Sequence, residues 1–261
     1  MQPRKIKTTV MSVLAPLASA TIFLLLWQAA SMIVSSQALP SPATVFKEAI
    51  RMFSIKIGGN SIWMHVFYSM RRVLIAYFWA GLLGLPLGMY MGWNRTFDKI
   101  VKPVFELLRP IPPIAWIPIA ILWLGIGESP KIFICFVGSF VIFVLNSYIG
   151  MRYVDSLLID AARAFGASKR QQLFNVAIPA SLPSVFAGVQ NALSTAWMCV
   201  LAAEMVGARE GVGFLILQGM DLNKPAMILV GMALIGLIGA ILAVMLRLLE
   251  KGLCPWRKEL V

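Results

Sequence analysis

The 261-residue sequence is short of titratable side chains: it has one histidine, three cysteines and eleven acidic residues, and charged residues of both signs make up 13% of it. Each scarcity argues against a class of function. An enzyme needs a cluster of groups that exchange protons or hold a metal, and the lone His65 belongs to no HExxH or comparable pairing. His65 reads as an interfacial side chain, with a ligand or proton-relay role as the alternative. Cys135, Cys199 and Cys254 fall in or beside apolar segments without metal-ligand spacing and read as small core residues. Coupling to an ion gradient would place several acidic groups within apolar spans, and only Glu204 is a candidate. A Walker A sequence is missing too, so any nucleotide that drives the protein binds to another chain. A membrane-embedded enzyme and an ion-coupled secondary transporter are both disfavoured.

What the sequence has in excess is apolar surface: 59% of its residues are hydrophobic and the mean hydropathy is +0.82. Several windows near twenty residues carry almost no charge, which makes this an integral membrane protein. The net charge of +12 does not indicate a nucleic-acid partner, because no phosphate-binding or base-stacking arrangement accompanies it. The basic residues sit in short segments between apolar runs, where they orient a chain in a bilayer. Arg4, Lys5 and Lys7 precede a long apolar run without a convincing cleavage site, so that run is expected to be retained as a first span.

The expected fold is all-α, a single transmembrane domain over residues 1–261 with six spans. The first covers about 12–34. It is followed by Ser35, Ser36 and Leu39-Pro40-Ser41-Pro42, then by a short amphipathic helix through Ile50 and Phe53 lying along the outer membrane surface. After a turn at Gly58-Gly59-Asn60, a second span covers about 63–92, with Gly81, Gly84, Gly88 and Gly92 on one face for close helix packing. A loop and helix at 93–109 leads to a third span interrupted by Pro110, Pro112, Pro113 and Pro118. Irregular backbone at membrane depth persists where it is buried in protein or lines a wet cavity. This stretch is thus either part of a translocation path or a kinked packing helix. The fourth span covers about 131–150, the fifth about 184–206 and the sixth about 226–249. The fifth carries Ser184, Gly188, Asn191, Thr195 and Ala202 on one stripe, with Gln190, Ser194 and Glu204 beside it, facing either a pore or a dry interhelical interface. Most lysines and arginines fall in the N-terminal tail, in 93–109, in 151–182 and after Arg247, which places both termini and those segments in the cytoplasm.

The polar stretch 155–183 interrupts this pattern. Leu157, Leu158, Ala161, Ala162 and Phe165 recur at helical spacing, Gly166 suits a left-handed C-cap, and Ser168 can cap a second short helix. Pro179 and Pro183 are expected to close the unit. A small Ala161-Ala162 patch beside Arg163, Lys169 and Arg170 suits docking into another protein.

The register Asp160-Ala161-Ala162, Gly166, Val176-Ala177-Ile178-Pro179 resembles the EAA loop of bacterial binding-protein-dependent ABC permeases, whose pattern is EAA, three residues, Gly, nine residues, then I-x-L-P. Asp160 stands for the usual Glu, Val176 for Ile and Ile178 for Leu. Leu39-Pro40-Ser41-Pro42, Ile114-Ala115-Trp116-Ile117-Pro118 through Leu122 to Ser129, and Ala203-Glu204 to Gly211-Val212-Gly213 extend the likeness to the nitrate, sulfonate, taurine and bicarbonate permeases.

The resemblance implies the permease subunit of a type I ABC importer in the bacterial inner membrane. Two permease copies would meet two ATPase subunits, and an external solute-binding protein would deliver a sulfonate, taurine or nitrate-like anion; a pyrimidine or riboflavin-like nutrient is the alternative. It implies no cofactor in this chain, with ATP and Mg in the partner subunit. The ATPase contact, within a coupling loop at about 151–182, falls to Asp160, Ala161, Ala162, Arg163, Gly166, Ala167, Lys169 and Pro179. The translocation path falls to Pro113, Trp116, Asn146, Asn191, Ser194, Thr195 and Met198. The binding-protein contact falls to Glu204, Arg209, Glu210 and Gly211. Arg71, Arg72 and Arg109 could attract an anion, or could simply orient the protein.

Overall fold

A computed structural model describes residues 3–34 and 38–253 of the chain. Ser35, Ser36, Cys254, Arg257 and Lys258 lie outside the described residues, as do the side chains of Arg4, Lys5, Lys7 and Lys251. Eleven helices follow in order: α1 (Pro3–Ile33), α2 (Pro42–Ser54), α3 (Ile62–Trp93), α4 (Arg95–Leu108), α5 (Ile117–Leu124), α6 (Glu128–Arg152), α7 (Ser156–Ala164), α8 (Lys169–Gln171), α9 (Ile178–Met205), α10 (Val212–Asp221) and α11 (Pro225–Leu253). The all-helical expectation holds among the described residues. Four helical runs there are long and apolar enough to cross a membrane, Ile62–Trp93, Glu128–Arg152, Lys169–Met205 and Pro225–Glu250. A fifth crossing is formed if the bent pair Arg95–Leu108 and Pro113–Leu124 is one span, and Leu17–Ile33 is a shorter apolar helix.

The chain divides into two compact units, Met1–Ile62 with Leu215–Ala233, and Trp63–Phe214 with Leu234–Val261. In the first, Ser41 caps α2 by accepting from the Thr44 backbone N–H, with Pro42 opening the helix. Ile57 and Asn60 exchange two backbone hydrogen bonds across the Gly58-Gly59 turn. The Trp27 indole donates to the Pro40 carbonyl at 3.1 Å.

The second unit carries the segments expected to function. Its core, including Val73, Ala76, Ile134, Cys135, Ala196, Trp197 and Val200, joins α3, α6 and α9. Cross-helix hydrogen bonds fix the register: Tyr77 donates to the Val189 carbonyl at 2.8 Å, and Trp197 to the Ile235 carbonyl at 2.9 Å. The glycine face of α3 lies against α6. A methyl group at Gly84 would stand 2.9 Å from Phe143 Cβ, one at Gly92 would stand 2.7 Å from Met151 Cβ, and one at Gly88 would run into the Val144 carbonyl.

Two expectations about prolines differ from the structure. The proline-rich third span does break: Pro113–Trp116 form a 3-10 turn leading into α5, and the run Pro113–Leu124 bends by 84° from Arg95–Leu108. Pro179 and Pro183, however, close nothing. They lie inside one continuous helical run, Lys169–Met205, so the helix that carries the fifth span begins near 169, ahead of the span expected from about 184. A π-helical stretch, Gln172–Ala177, precedes Pro179, and the Ile178 N–H reaches back five residues to the Leu173 carbonyl. This wider turn accommodates a residue that can neither donate a hydrogen bond nor sit under a regular preceding turn.

Close packing at Gly88 gives a direct check. Gly88→Ala should lower the detergent-solubilised melting temperature by an amount corresponding to about 1–3 kcal/mol of overpacking. Gly236→Ala, where an added methyl meets nothing within 4 Å, should leave it unchanged.

Candidate functional site

The 155–183 segment is built by its caps. Asp155 accepts from the Leu157 N–H at 2.9 Å and starts α7. Gly166, at φ +80°, ends it: the Gly166 N–H bonds to the Arg163 carbonyl and the Ala167 N–H to the Ala162 carbonyl. That pair of bonds is a Schellman turn, which favours glycine because a side chain at this φ is strained. Ser168 then forms a capping box with Gln171, each side chain bonding to the other's backbone N–H. Two helices are thus set around one rigid corner.

The corner presents its apolar residues outward. Phe165 is 92% exposed and Leu157 71% exposed, on the same stripe as exposed Ala161. Ala162, Ala167 and Pro179 are half-buried, and Lys169 is exposed. Asp160 and Arg163 pair at 3.0 Å in the open, a contact that contributes little stability. The periodicity in the sequence placed Phe165 on the apolar face of a helix; the structure leaves that face uncovered. The signal that could have singled it out is a large aromatic directly before the capping glycine.

The residues expected along a path separate into two groups. On α9, Asn191, Ser194 and Met198 are exposed on one face. Thr195 and Pro113 flank Gly138 of α6, within 3.4 Å of where its Cβ would be. Ser194 and Thr195 donate to the carbonyls of Gln190 and Asn191, so their hydroxyls are satisfied by their own helix. Asn146 donates to the Ile142 carbonyl and packs on Gly188. Trp116 lies at the edge of the core, edge-on to Phe133. Gln190 turns away to Glu250 at 2.6 Å.

Beyond the far end of α9 the structure holds a charge cluster. Arg72 is fully buried, whereas its neighbour Arg71 is exposed. The Arg72 guanidinium donates twice to Glu128 (both 2.7 Å), once to Glu204 (2.7 Å) and once to the Glu210 carbonyl (2.9 Å). It also lies 3.6 Å from the Glu210 carboxylate. Lys131 donates to Glu128 at 3.0 Å. Glu204 is 0% exposed and accepts from Ser69 and from the Gly213 N–H. The Val212 N–H donates to Ser69 Oγ at 2.9 Å, and the Gly211 N–H donates to His65 Nδ1 at 3.1 Å. Gly211 adopts φ +117° directly over the Glu204 carboxylate, where a Cβ would collide with it.

Of the residues expected to meet a binding protein, Arg209 is exposed and Glu210 partly so, but Glu204 and Gly211 are buried. Glu204 is therefore enclosed and holds the 207–213 segment from beneath. His65 is likewise buried, stacked on Phe214 at 5.6 Å, and not at an interface. The clue to this cluster was the presence of Arg72 and Glu204 inside apolar spans, where opposite charges seek each other.

Residues 84–257 match the family described as binding-protein-dependent transport system inner membrane component. The chain is 32% identical over 242 residues to the taurine transport system permease protein of Escherichia coli (strain K12), covering 92% of this chain and 88% of that one. It is 28% identical over 248 residues to the nitrate import permease protein of Synechocystis, covering 93% and 90%. Its fold aligns with an inward-facing conformation of the MetNI methionine ABC transporter at a TM-score of 0.58 and 21% identity, covering 71% of this chain and 97% of that chain.

Breaking the cluster at its centre should be costly. Arg72→Met leaves the buried Glu204 carboxylate without a counter-charge and should destabilise the protein by about 3–5 kcal/mol, whereas Glu210→Ala, at the partly exposed rim, should cost about 0–1 kcal/mol. Thermal unfolding of the purified variants measures both.

Proposed function

This chain belongs to the family of binding-protein-dependent transport system inner membrane components and is a multi-pass inner-membrane permease subunit of an ABC importer, and from that premise we propose how it docks, what it passes and how it sits. The observation that carries the docking reading is the rigid α7 corner, with Phe165 and Leu157 uncovered at its surface. Exposed apolar side chains on a pre-formed helix are the anchors expected of a protein interface. α7 docks on a separate ATPase subunit through Asp160, Ala161, Ala162 and Arg163, with Phe165 as the apolar anchor and Gly166 fixing the angle. ATP and Mg are bound by that subunit. α6 leads into α7 and α8 leads out of it, so movement of α7 is passed directly to two spans. Both termini and α7 face the cytoplasm, in keeping with the basic residues at 95–109 and 152–170.

The path runs beside the Asn191, Ser194 and Met198 face of α9 and the broken Pro113–Trp116 turn, against a second copy of this chain. A solute-binding protein meets the outer loops around Arg209 and Glu210. The solute is a small anion of the taurine or nitrate class, a reading supported by the names of the relatives with which the chain shares most of its length.

Two measurements on the reconstituted complex test these readings. Ala162→Arg adds bulk to the docking face and Gly166→Pro forbids the left-handed turn, so both should abolish uptake and ATPase stimulation. Phe165→Ala should weaken ATPase association by about 2 kcal/mol or more. Normal uptake and stimulation in Ala162→Arg and Gly166→Pro would refute the docking reading. For the solute, proteoliposomes should accumulate labelled taurine or nitrate in the presence of a cognate solute-binding protein; accumulation of neither would refute the anion assignment.

A further inference from the structure

The cluster at Arg72 joins four segments of the second unit. α3 supplies Ser69 and Arg72, the head of α6 supplies Glu128, the tail of α9 supplies Glu204, and the 207–213 segment supplies Glu210 and three successive backbone N–H groups. Those three N–H groups, of Gly211, Val212 and Gly213, are each held by a side chain of α3 or α9. The segment is therefore fastened rather than draped. At their other ends the same α6 and α9 bound the α7 corner. Between those ends they run in close approach: a Cβ at Gly138 would stand 2.7 Å from Cys199 Sγ, and one at Gly150 would stand 2.8 Å from Ser184 Cβ.

We infer that Arg72 is a positioning residue for transport: its clamp keeps the outer 207–211 loop in fixed register with the α6–α9 pair, so that the loop and the α7 corner move as one body. The reason is energetic. Separating the clamp would strand the buried Arg72 guanidinium and the buried Glu204 carboxylate, and that penalty exceeds the coupling free energies by which ligands usually shift conformational equilibria. The cycle therefore moves the clamped block intact. The arrival of a loaded binding protein at Arg209 and Glu210 reaches α7 through α6 and the Lys169–Met205 helical run. This inference rests on the docking reading above for the identity of the ATPase contact.

The test uses the whole complex, permease with its ATPase and binding protein, in proteoliposomes. Arg72→Lys keeps one charge but loses the fork that reaches Glu128 and Glu204 together. Ser69→Ala removes the hydroxyl that joins Glu204 to the Val212 N–H and is the gentler change. Both variants should retain wild-type copurification with the ATPase and a wild-type basal ATPase rate. Stimulation by the loaded binding protein should fall by about fivefold or more, and uptake should fall with it. A wild-type ratio of stimulated to basal rate in the assembled variants overturns the inference. Should Arg72→Lys fail to assemble, Ser69→Ala decides by the same ratio. Ala162→Arg, measured alongside, reports on docking alone: normal copurification and stimulation there overturn the docking reading, while the Arg72 and Ser69 ratios still judge the clamp.

Discussion

A guanidinium with no exposed surface, in the middle of an apolar helix, is the constraint around which the second unit is arranged. Arg72 makes four hydrogen bonds, to the carboxylates of Glu128 and Glu204 and to the Glu210 carbonyl, and lies 3.6 Å from the Glu210 carboxylate, so its partners come from three other places in the chain. A charge in such a setting is tolerated only when it is both neutralised and fully hydrogen-bonded. That requirement determines where α6 begins, where α9 ends and how the chain turns afterwards. Glu128 stands in the first turn of α6, where a carboxylate is favoured by the helix dipole. Glu204 stands just before the left-handed Gly207, so its carboxylate meets the backbone that folds back over it. Three of the chain's eleven acidic residues, Glu128, Glu204 and Glu210, gather in one knot around this buried arginine.

The spans that meet at the knot are otherwise held by small residues and backbone-directed hydrogen bonds. Without water to drive apolar surfaces together, helices in a membrane gain from close approach, which glycine permits. Gly84, Gly88 and Gly92 bring α3 onto α6, and Gly138, Gly150 and Gly188 bring α9 onto its other side. Tyr77 and Trp197 then lock the register through single hydrogen bonds to carbonyls of neighbouring helices. The π-helical turns before Pro179 serve the same continuity. They let the helix leaving the α7 corner run without interruption to the Arg72 cluster, so the corner is attached to one continuous helix.

What was legible in the sequence was whatever obeys a local rule. The left-handed cap at Gly166, the capping serine at Ser168, the turn at Gly58-Gly59 and the shared face of the α3 glycines all follow from residue type and spacing, and each is where the spacing put it. The prolines were misleading for the same reason. A local rule makes Pro179 and Pro183 helix ends, but it assumes regular α-helical turns before them; the π stretch removes that assumption for Pro179, and Pro183 lies inside α9. The charge cluster was beyond reach because its members are 56 and 132 residues apart. No periodicity connects Ser69, Arg72, Glu128 and Glu204. The resemblance places Glu204 among the binding-protein contacts, and nothing local to its sequence shows that it lies instead buried against Arg72.

The polar stripe on α9 shows how one expectation divided once partners were known. Facing a pore and filling a dry interface were alternatives for the whole stripe, and the residues separate between the two. Gly188 and Ser184 are taken up against α6, and Gln190 is turned to Glu250. Asn191, Ser194 and Met198 remain uncovered. None of these three is charged, and the Ser194 hydroxyl is already satisfied by a carbonyl one turn back. A face of this kind offers a passing anion weak contacts without a deep well, and a route must release what it admits. The strong positive charge nearest that end of α9, Arg72, is meanwhile fully committed to carboxylates and is not free to trap an anion. On the proposed path, discrimination between solutes then falls to the partner that delivers them, and the chain itself is built to open and close in register.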